Sequence, residues 1–251
     1  MNKNNNKVLN KFNPISLDEM DSAQLMDRVD TKYTIPHKCL EKILYTLPEH
    51  YDILSINQER SFTYRTVYFD TEDHKLYHLH QNGKLNRFKF RIREYCNTGD
   101  KFFEIKVKNN KGRTNKKRHN VTDFSLNENE LDFINKELLF SEHLIPSITI
   151  YFDRFTLVNR SKTERITFDC GLSFEHNNHS RKFSDLAIIE IKESRNNKLS
   201  KLKESLKKER YLPSRISKYC LGISSLKANS VKTNLIKDKL RKINKLTNKY
   251  I

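Results

Sequence analysis

The stretch Asn86–Tyr95, NRFKFRIREY, places Arg87, Lys89, Arg91 and Arg93 on alternate residues, with Phe88, Phe90 and Ile92 between them. Successive strand side chains point to opposite faces of a sheet. As a strand, this stretch has one apolar face, which belongs against a core, and one face made of cations. Those cations suit anionic oxygen: an arginine fork pairs two oxygens of a phosphate, and a lysine supplies a point charge. The inversion recurs. Glu104, Lys106 and Lys108 oppose Phe103, Ile105 and Val107; Glu190 and Lys192 oppose Ile189 and Ile191; Arg165, Thr167 and Asp169 oppose Ile166 and Phe168. Any one of these strands is also what a one-sided sheet with a solvated face produces. Consecutive same-face cations repel one another, however. The few acids set among many bases, Glu104 beside Lys106 and Glu190 beside Lys192, suit a divalent metal together with a polyanion.

The elements that position these residues follow from pattern. Ser16 to Glu19 has the capping-box form and predicts a helix running toward Met26. RVDTKYTI at 28–35 reads as a strand, and 37–47 carries Leu40, Ile43, Leu44 and Leu47 at helical spacing before Pro48. Strands are predicted at 62–70, 86–95 and 101–108 and, after a turn around Gly112, in TNKKRHNV. A helix begins near Asn127, and strands return at 147–158, 164–174 and 186–194. A helix with Leu199, Leu202 and Leu206 and the segment PSRISKYCLGI follow, then an amphipathic helix with Ile236, Leu240 and Ile243. The organisation expected is a loose N-terminus over 1–15, one domain over 16–226 and a basic helical extension over 227–251. The fold class expected is α+β: mainly an antiparallel β-barrel of about eight strands enclosing a basic tunnel, with flanking helices.

Composition bounds the partners. The 251 residues hold 48 Lys plus Arg against 31 Asp plus Glu, a net charge of +17, while 36% are hydrophobic. A core is affordable in size, wholesale disorder is excluded, and nucleic acid, an anionic membrane surface or phosphorylated molecules are the natural partners. Cys39, Cys96, Cys170 and Cys220 form no CxxC pair, which argues for reduced thiols over zinc or a disulfide framework. The start has no secretory h-region and no run is long enough to span a membrane, so a cytoplasmic protein is expected.

RVDTKY (28–33), TVYFDT (66–71), GKLNRFKFRIREY (83–95), FEIKVKNNKGRTNKKR (103–118), YFDRFTL (151–157), IIEIK (188–192) and SRISKYCLGI (214–223) occur in this order. Together they resemble the VTC-type polyphosphate polymerase domain of the triphosphate tunnel metalloenzyme, or CYTH-like, superfamily, over about residues 20–225. The resemblance implies a barrel around a basic tunnel, ATP and polyphosphate as ligands, and a divalent metal, Mn²⁺ or Mg²⁺. It implies transfer of the γ-phosphoryl group of ATP to a polyphosphate chain. On that resemblance Arg91, Arg93, Lys106 and Arg154 are the catalytic clamp. Arg28, Lys32, Lys116, Lys117, Arg118, Ser217 and Lys218 bind phosphate, the register of 116–118 being open. Glu190, with Glu104, is the metal ligand.

There is one departure from the wider superfamily. Where its triphosphatases carry ExExK, this chain reads Arg28-Val29-Asp30-Thr31-Lys32, which favours chain binding over hydrolysis. The regulatory and transmembrane domains of the eukaryotic complexes are not expected in this chain, so membrane coupling of polyphosphate synthesis is expected to need a separate partner.

Three rivals stand beside this reading: a triphosphatase, a non-catalytic polyphosphate sensor, and a nucleic-acid-binding module. Against the last, Trp is absent and the aromatics of the basic strands fall on the opposite parity, so they form no stacking platform beside the cations.

Overall fold

The computed structural model describes residues 7–21, 28–110, 113–138, 140–195, 200–227 and 230–248. In chain order the elements are β1 (Asn13–Ile15), α1 (Leu17–Asp21), β2 (Arg28–Pro36), α2 (Leu40–Leu44), β3 (Tyr51–Leu54), β4 (Phe62–Asp70), α3 (Lys75–Gln81), β5 (Arg87–Tyr95), β6 (Lys101–Lys108), β7 (Thr114–Val121), α4 (Glu128–Leu138), β8 (Ile145–Asn159), β9 (Glu164–His176), β10 (His179–Phe183), β11 (Leu186–Ser194), α5 (Lys201–Lys208), α6 (Lys218–Leu226) and α7 (Asn234–Asn248). The capping box forms: the Glu19 amide donates to Ser16 Oγ at 3.2 Å while Ser16 N donates to Glu19 Oε2 at 2.9 Å. The remainder of that helix toward Met26, the turn at Gly112 and Leu199 lie outside the described residues.

The strands make one 11-stranded sheet whose main path is β2-β11-β9-β8-β4-β5-β6-β7, antiparallel throughout. Short strands flank it, β10 on β9 and β3 on β8, with β1 parallel to β3. The α+β class and the large antiparallel sheet are as expected; the barrel is not. The path ends at β2 on one side and β7 on the other, and among the described residues no backbone pairing joins them. Among the described residues the sheet is open and is not closed into a barrel. Closing it would bring Arg28 and Lys32 of β2 beside Lys116 and Arg118 of β7, and like charges on adjacent strands disfavour pairing.

Side-chain alternation sorts the two faces. On the apolar face, Val67, Phe69, Phe90, Ile92, Phe103 and Ile105 pack with Ile134 of α4 and with Phe140 and Leu144. Further along the same face Phe155, Leu157, Ile166, Phe168, Ile189 and Ile191 pack with α2, α5 and the N-terminal Val8, Leu9 and Phe12. The expectation of a loose N-terminus is therefore corrected for residues 7–15, where these apolar side chains are buried and Arg60 donates to the Phe12 carbonyl at 3.0 Å.

The other face carries the charges, and part of it holds a third core. Gly171 is the reason. Asp169 faces the charges, yet Leu172 and Phe174 lie on the same side, so the strand's parity switches between them; the register of β8 and β9 shifts there. Gly171 sits at φ +61°, a conformation that suits glycine and marks a bulge. The apolar patch so created, with Ile148, Ile150 and Phe152, receives Tyr219, Cys220, Leu221 and Ile223 of α6 and Ile236 and Ile243 of α7. The approach is close at Gly222, where a Cβ would lie 2.5 Å from Ile148 Cδ1 and 2.5 Å from Phe174 Cδ1. The helix α7 is thus docked through buried side chains, and it touches α6, β2 and β11. No helix among the described residues is long and apolar enough to cross a membrane.

Candidate functional site

Three arginines meet where β4, β5, β6, β8 and β9 face α6. Arg154 grips Asp169 with two of its three nitrogens, Nε donating to Oδ1 at 2.6 Å and Nη2 to Oδ2 at 2.9 Å. Lys218, the first residue of α6, pairs with the second oxygen of the same carboxylate. Arg91 donates from Nε to Glu104 Oε2 at 2.5 Å and from Nη1 to the Tyr68 hydroxyl at 2.9 Å. Arg93 is only 7% exposed; its Nη1 lies 4.0 Å from Glu104. An aromatic floor supports them. Tyr64 and Phe152 stack at 5.2 Å, and the guanidiniums of Arg93 and Arg154 sit over Tyr64 at 5.4 and 5.3 Å. Such stacking fixes a guanidinium plane without neutralising it.

The sheet edges add lysines. Lys32 of β2 pairs with Glu190, its cross-strand neighbour on β11. Arg28 pairs with Asp30 at 3.3 Å. On the other edge Lys106 is directly across from Lys116, and Glu104 from Arg118. Although β2 and β7 are unpaired, their charges interact: Lys116 feels Arg28 and Glu190, and Lys106 feels Glu190, Lys32 and Asp30. The open question in 116–118 is resolved by parity. Lys116 and Arg118 share the charged face, whereas Lys117 lies on the other, its ammonium 4.9 Å from the Phe133 ring of α4. At the N-terminus of α6, Ser217 caps the helix by accepting from the Cys220 amide at 3.4 Å, and Lys89 donates to the same Oγ at 3.1 Å. The structure therefore brings together Arg91, Arg93, Lys106, Arg154, Lys32, Lys116, Ser217, Lys218, Glu104 and Glu190; it leaves Lys117 apart.

The balance of charge shows in the ionisation of these groups. Burial pushes the Asp169 carboxyl up, but Arg154 and Lys218 outweigh it and hold it at about 2. Glu104 is held at about 2 in the same way, by Arg91 and Arg93, and Glu190 well below its ordinary value by Lys192 and Lys32. The lysines move the opposite way. Burial first, then neighbouring cations, lowers Lys192 to about 7 and Lys89, Lys116 and Lys218 to about 8, although carboxylates or a phenol oppose this at each. Burial is the leading cause at each of these lysines; at Lys116 the neighbouring cations Lys106, Arg28 and Arg91 add to it.

Several contributors escape a reading of strand motifs alone. Lys89, Lys192 and Asp169 lie on the charged parity, which was the available signal. Tyr64 and Tyr68 are on the matching parity of β4, with nothing in their spacing to single them out. Asp70 gives no sequence signal. It is fully buried and accepts from the amides of Thr71, Leu76 and Tyr77 at 2.8, 2.8 and 2.9 Å and from the hydroxyl of Tyr219. Tyr219 stacks on Tyr68 at 5.1 Å. Asp70 thus anchors α6, and with it Ser217 and Lys218.

Among the described residues no group of three or more His, Cys, Asp or Glu side chains could hold a metal ion. The expectation of a manganese site built by the protein is corrected accordingly: Glu104, Asp169 and Glu190 are each engaged by a cation. A lone ionised carboxylate such as Glu190 still fits a divalent cation that arrives on phosphate oxygens, since such ions need only one or two protein carboxylates.

The geometry defines an α+β protein built on one open antiparallel sheet, with its cations gathered on a single face against α6. Residues 27–227 match the model of the VTC domain, and the chain belongs to that family. Among solved structures it is similar to a protein of Pyrococcus horikoshii OT3 at 12% identity and TM-score 0.44, covering 78% of this chain and 99% of that one. It is also similar to a Hippeastrum protein whose structure is described as revealing a dominant triphosphatase activity, at 13% identity and TM-score 0.48, covering 80% and 97%. A Pyrococcus furiosus protein matches at 16% identity and TM-score 0.42, covering 77% and 99%. No curated protein matches the chain.

Proposed function

We propose that this protein is a phosphotransferase that moves the γ-phosphoryl group of ATP onto the end of a polyphosphate chain. The observation that carries the reading is the excess of cations on the charged face, arginines at its centre and lysines toward the sheet edges, around carboxylates that are already engaged. Phosphoryl transfer asks mainly for positioning and for stabilisation of charge spread over the equatorial oxygens. Arg91, Arg93 and Arg154 hold the nucleotide phosphates, and Lys106 and Lys116 hold those of the chain. The attacking group is an ionised terminal phosphate oxygen; it bonds to the γ-phosphorus as the bond to the bridging oxygen breaks and ADP leaves. No proton has to be removed, so no general base is required. A divalent cation bound to the phosphates would be held by Glu190 and would neutralise their oxygens.

Purified protein incubated with ATP and a divalent cation, its product resolved on a gel, tests this. A polyphosphate ladder that fails to form in Arg91→Ala is the expected result. Release of inorganic phosphate from ATP or tripolyphosphate without a ladder makes the protein a triphosphatase. Tight polyphosphate binding with neither product makes it a sensor.

A further inference from the structure

Alternation puts Phe88 and Phe90 on the apolar face, away from the cations. At one end of the same strands, however, the charged parity itself turns aromatic. After Arg91 and Arg93 on β5 the next residue of that face is Tyr95, and before Glu104 on β6 it is Phe102. The register sets them side by side: Tyr95 is opposite Tyr64 of β4, and Phe102 lies between Arg93 of β5 and Asn120 of β7. The expectation that aromatics of the basic strands form no stacking platform beside the cations is corrected at this end of the sheet.

The rings make one continuous patch. Phe152 stacks on Tyr64 at 5.2 Å, Tyr64 meets Tyr95 at 5.0 Å, and Tyr95 meets Phe102 edge-on at 5.6 Å. Burial divides the patch in two. Tyr64 and Phe152 are buried beneath the guanidiniums of Arg93 and Arg154, whereas Tyr95 and Phe102 are only half-buried. The Arg118 side chain is exposed, and its guanidinium lies 5.0 Å from the centre of the Phe102 ring. An exposed guanidinium over a half-buried ring is a contact that a flat ligand can share, because it stacks on both. Asn120 is exposed beside them, and its amide both donates and accepts.

We propose that Tyr95 and Phe102, with Arg118 and Asn120, form a stacking subsite for the base of a nucleoside triphosphate whose phosphates lie on Arg91, Arg93 and Arg154. The inference rests on the phosphotransferase reading of the charged face and gives that reading an end for the base. Phe102 is in the same cross-strand row as Arg93, so rings and phosphate ligands share one surface. From Arg91 to Tyr95 the strand runs about 13 Å, which leaves room for the ribose between clamp and rings. The nucleotide is thereby oriented, with its base at the β5–β6 turn and its γ-phosphoryl group toward Lys106 and Lys116. Every base has a π face, so stacking holds it, and the Asn120 amide meets its polar edge.

The test compares inorganic tripolyphosphate with the β,γ-imido analogue of ATP, which carries the base, by calorimetry on the full chain. The readout is the ratio of the two affinities. Phe102→Leu and Tyr95→Leu keep apolar bulk and remove a ring; each is expected to weaken the analogue about tenfold and to leave tripolyphosphate unchanged. Tyr95→Phe, which keeps the ring, is expected to keep the ratio. So is Tyr45→Leu, which removes an exposed ring next to α2, on the other face of the sheet. A ratio unchanged in both ring variants, or lowered equally in Tyr45→Leu, overturns the base subsite while leaving the arginine clamp standing. A wild type that binds neither ligand overturns the reading of the whole face, and this inference with it.

Discussion

Replacing Asp169 with Asn isolates the balance of charge on which the site rests. The carboxylate is 1% exposed, its partners Arg154 and Lys218 are 14% and 17% exposed, and it receives two hydrogen bonds from the guanidinium besides the ammonium contact. Asn keeps the shape and removes the charge, leaving two cations largely out of water with no acid between them. Breaking a buried pair in this way costs about 3–5 kcal/mol. For a domain of this size each kcal/mol moves the melting temperature by about 2–4 °C, so a fall of about 6–20 °C is expected. Tripolyphosphate should recover part of that fall, because it supplies the lost negative charge and binds only the folded state. Acid gives an independent check. Asp169 is depressed from the ordinary 3.8 to about 2, so its contribution is full above pH 4 and is lost as the pH falls through about 2. The gap between wild type and variant must narrow over that window. Adding Arg154→Met to the variant removes one stranded cation and should restore stability, a coupling that a double-mutant cycle measures. Thermal unfolding followed by circular dichroism decides the matter: Asp169→Asn as stable as the wild type refutes the claim that this carboxylate holds the cations in place.

Gly222→Val should displace α6, since the first added carbon would already lie 2.5 Å from Ile148 and Phe174; a loss of about 1–3 kcal/mol in urea denaturation is expected, with weaker tripolyphosphate binding because Ser217 and Lys218 move with the helix. Binding of a polyanion should take up protons at pH 8. Lys192, at about 7, and Lys89, Lys116 and Lys218, at about 8, are partly neutral in the free protein, and an anion raises all of them. Affinity therefore weakens as the pH climbs above 8, and calorimetric enthalpies in two buffers of different ionisation enthalpy should differ; identical enthalpies refute the linkage. These lysines also sit below their unfolded value of 10.5, so the folded state holds fewer protons there and stability of the free protein rises with pH between about 7 and 10.

What the sequence made legible is what a period of two controls. Arg91 and Arg93 lie on one face and Phe90 and Ile92 on the other because alternation is a local property of the strand. The same rule sorted Lys116 and Arg118 from Lys117 once the strand's bounds were known. Closure of the sheet is not local. It depends on whether β2 finds β7 across the whole path, and neither strand carries a mark of its partner. The parity switch at Gly171, the apolar patch it opens and the docking of α6 and α7 there are likewise settled by distant segments meeting, as is the anchoring of Tyr219 by Asp70 from β4. Short elements were lost for a simpler reason: β3, β10 and α3 are too brief for periodicity to register. The open sheet nevertheless strengthens the anion reading. Here Lys32 shares Glu190 with Lys192, and Lys116 has only lysine opposite it. The deficit of negative charge is built into the register itself, and a ligand is what remains to fill it.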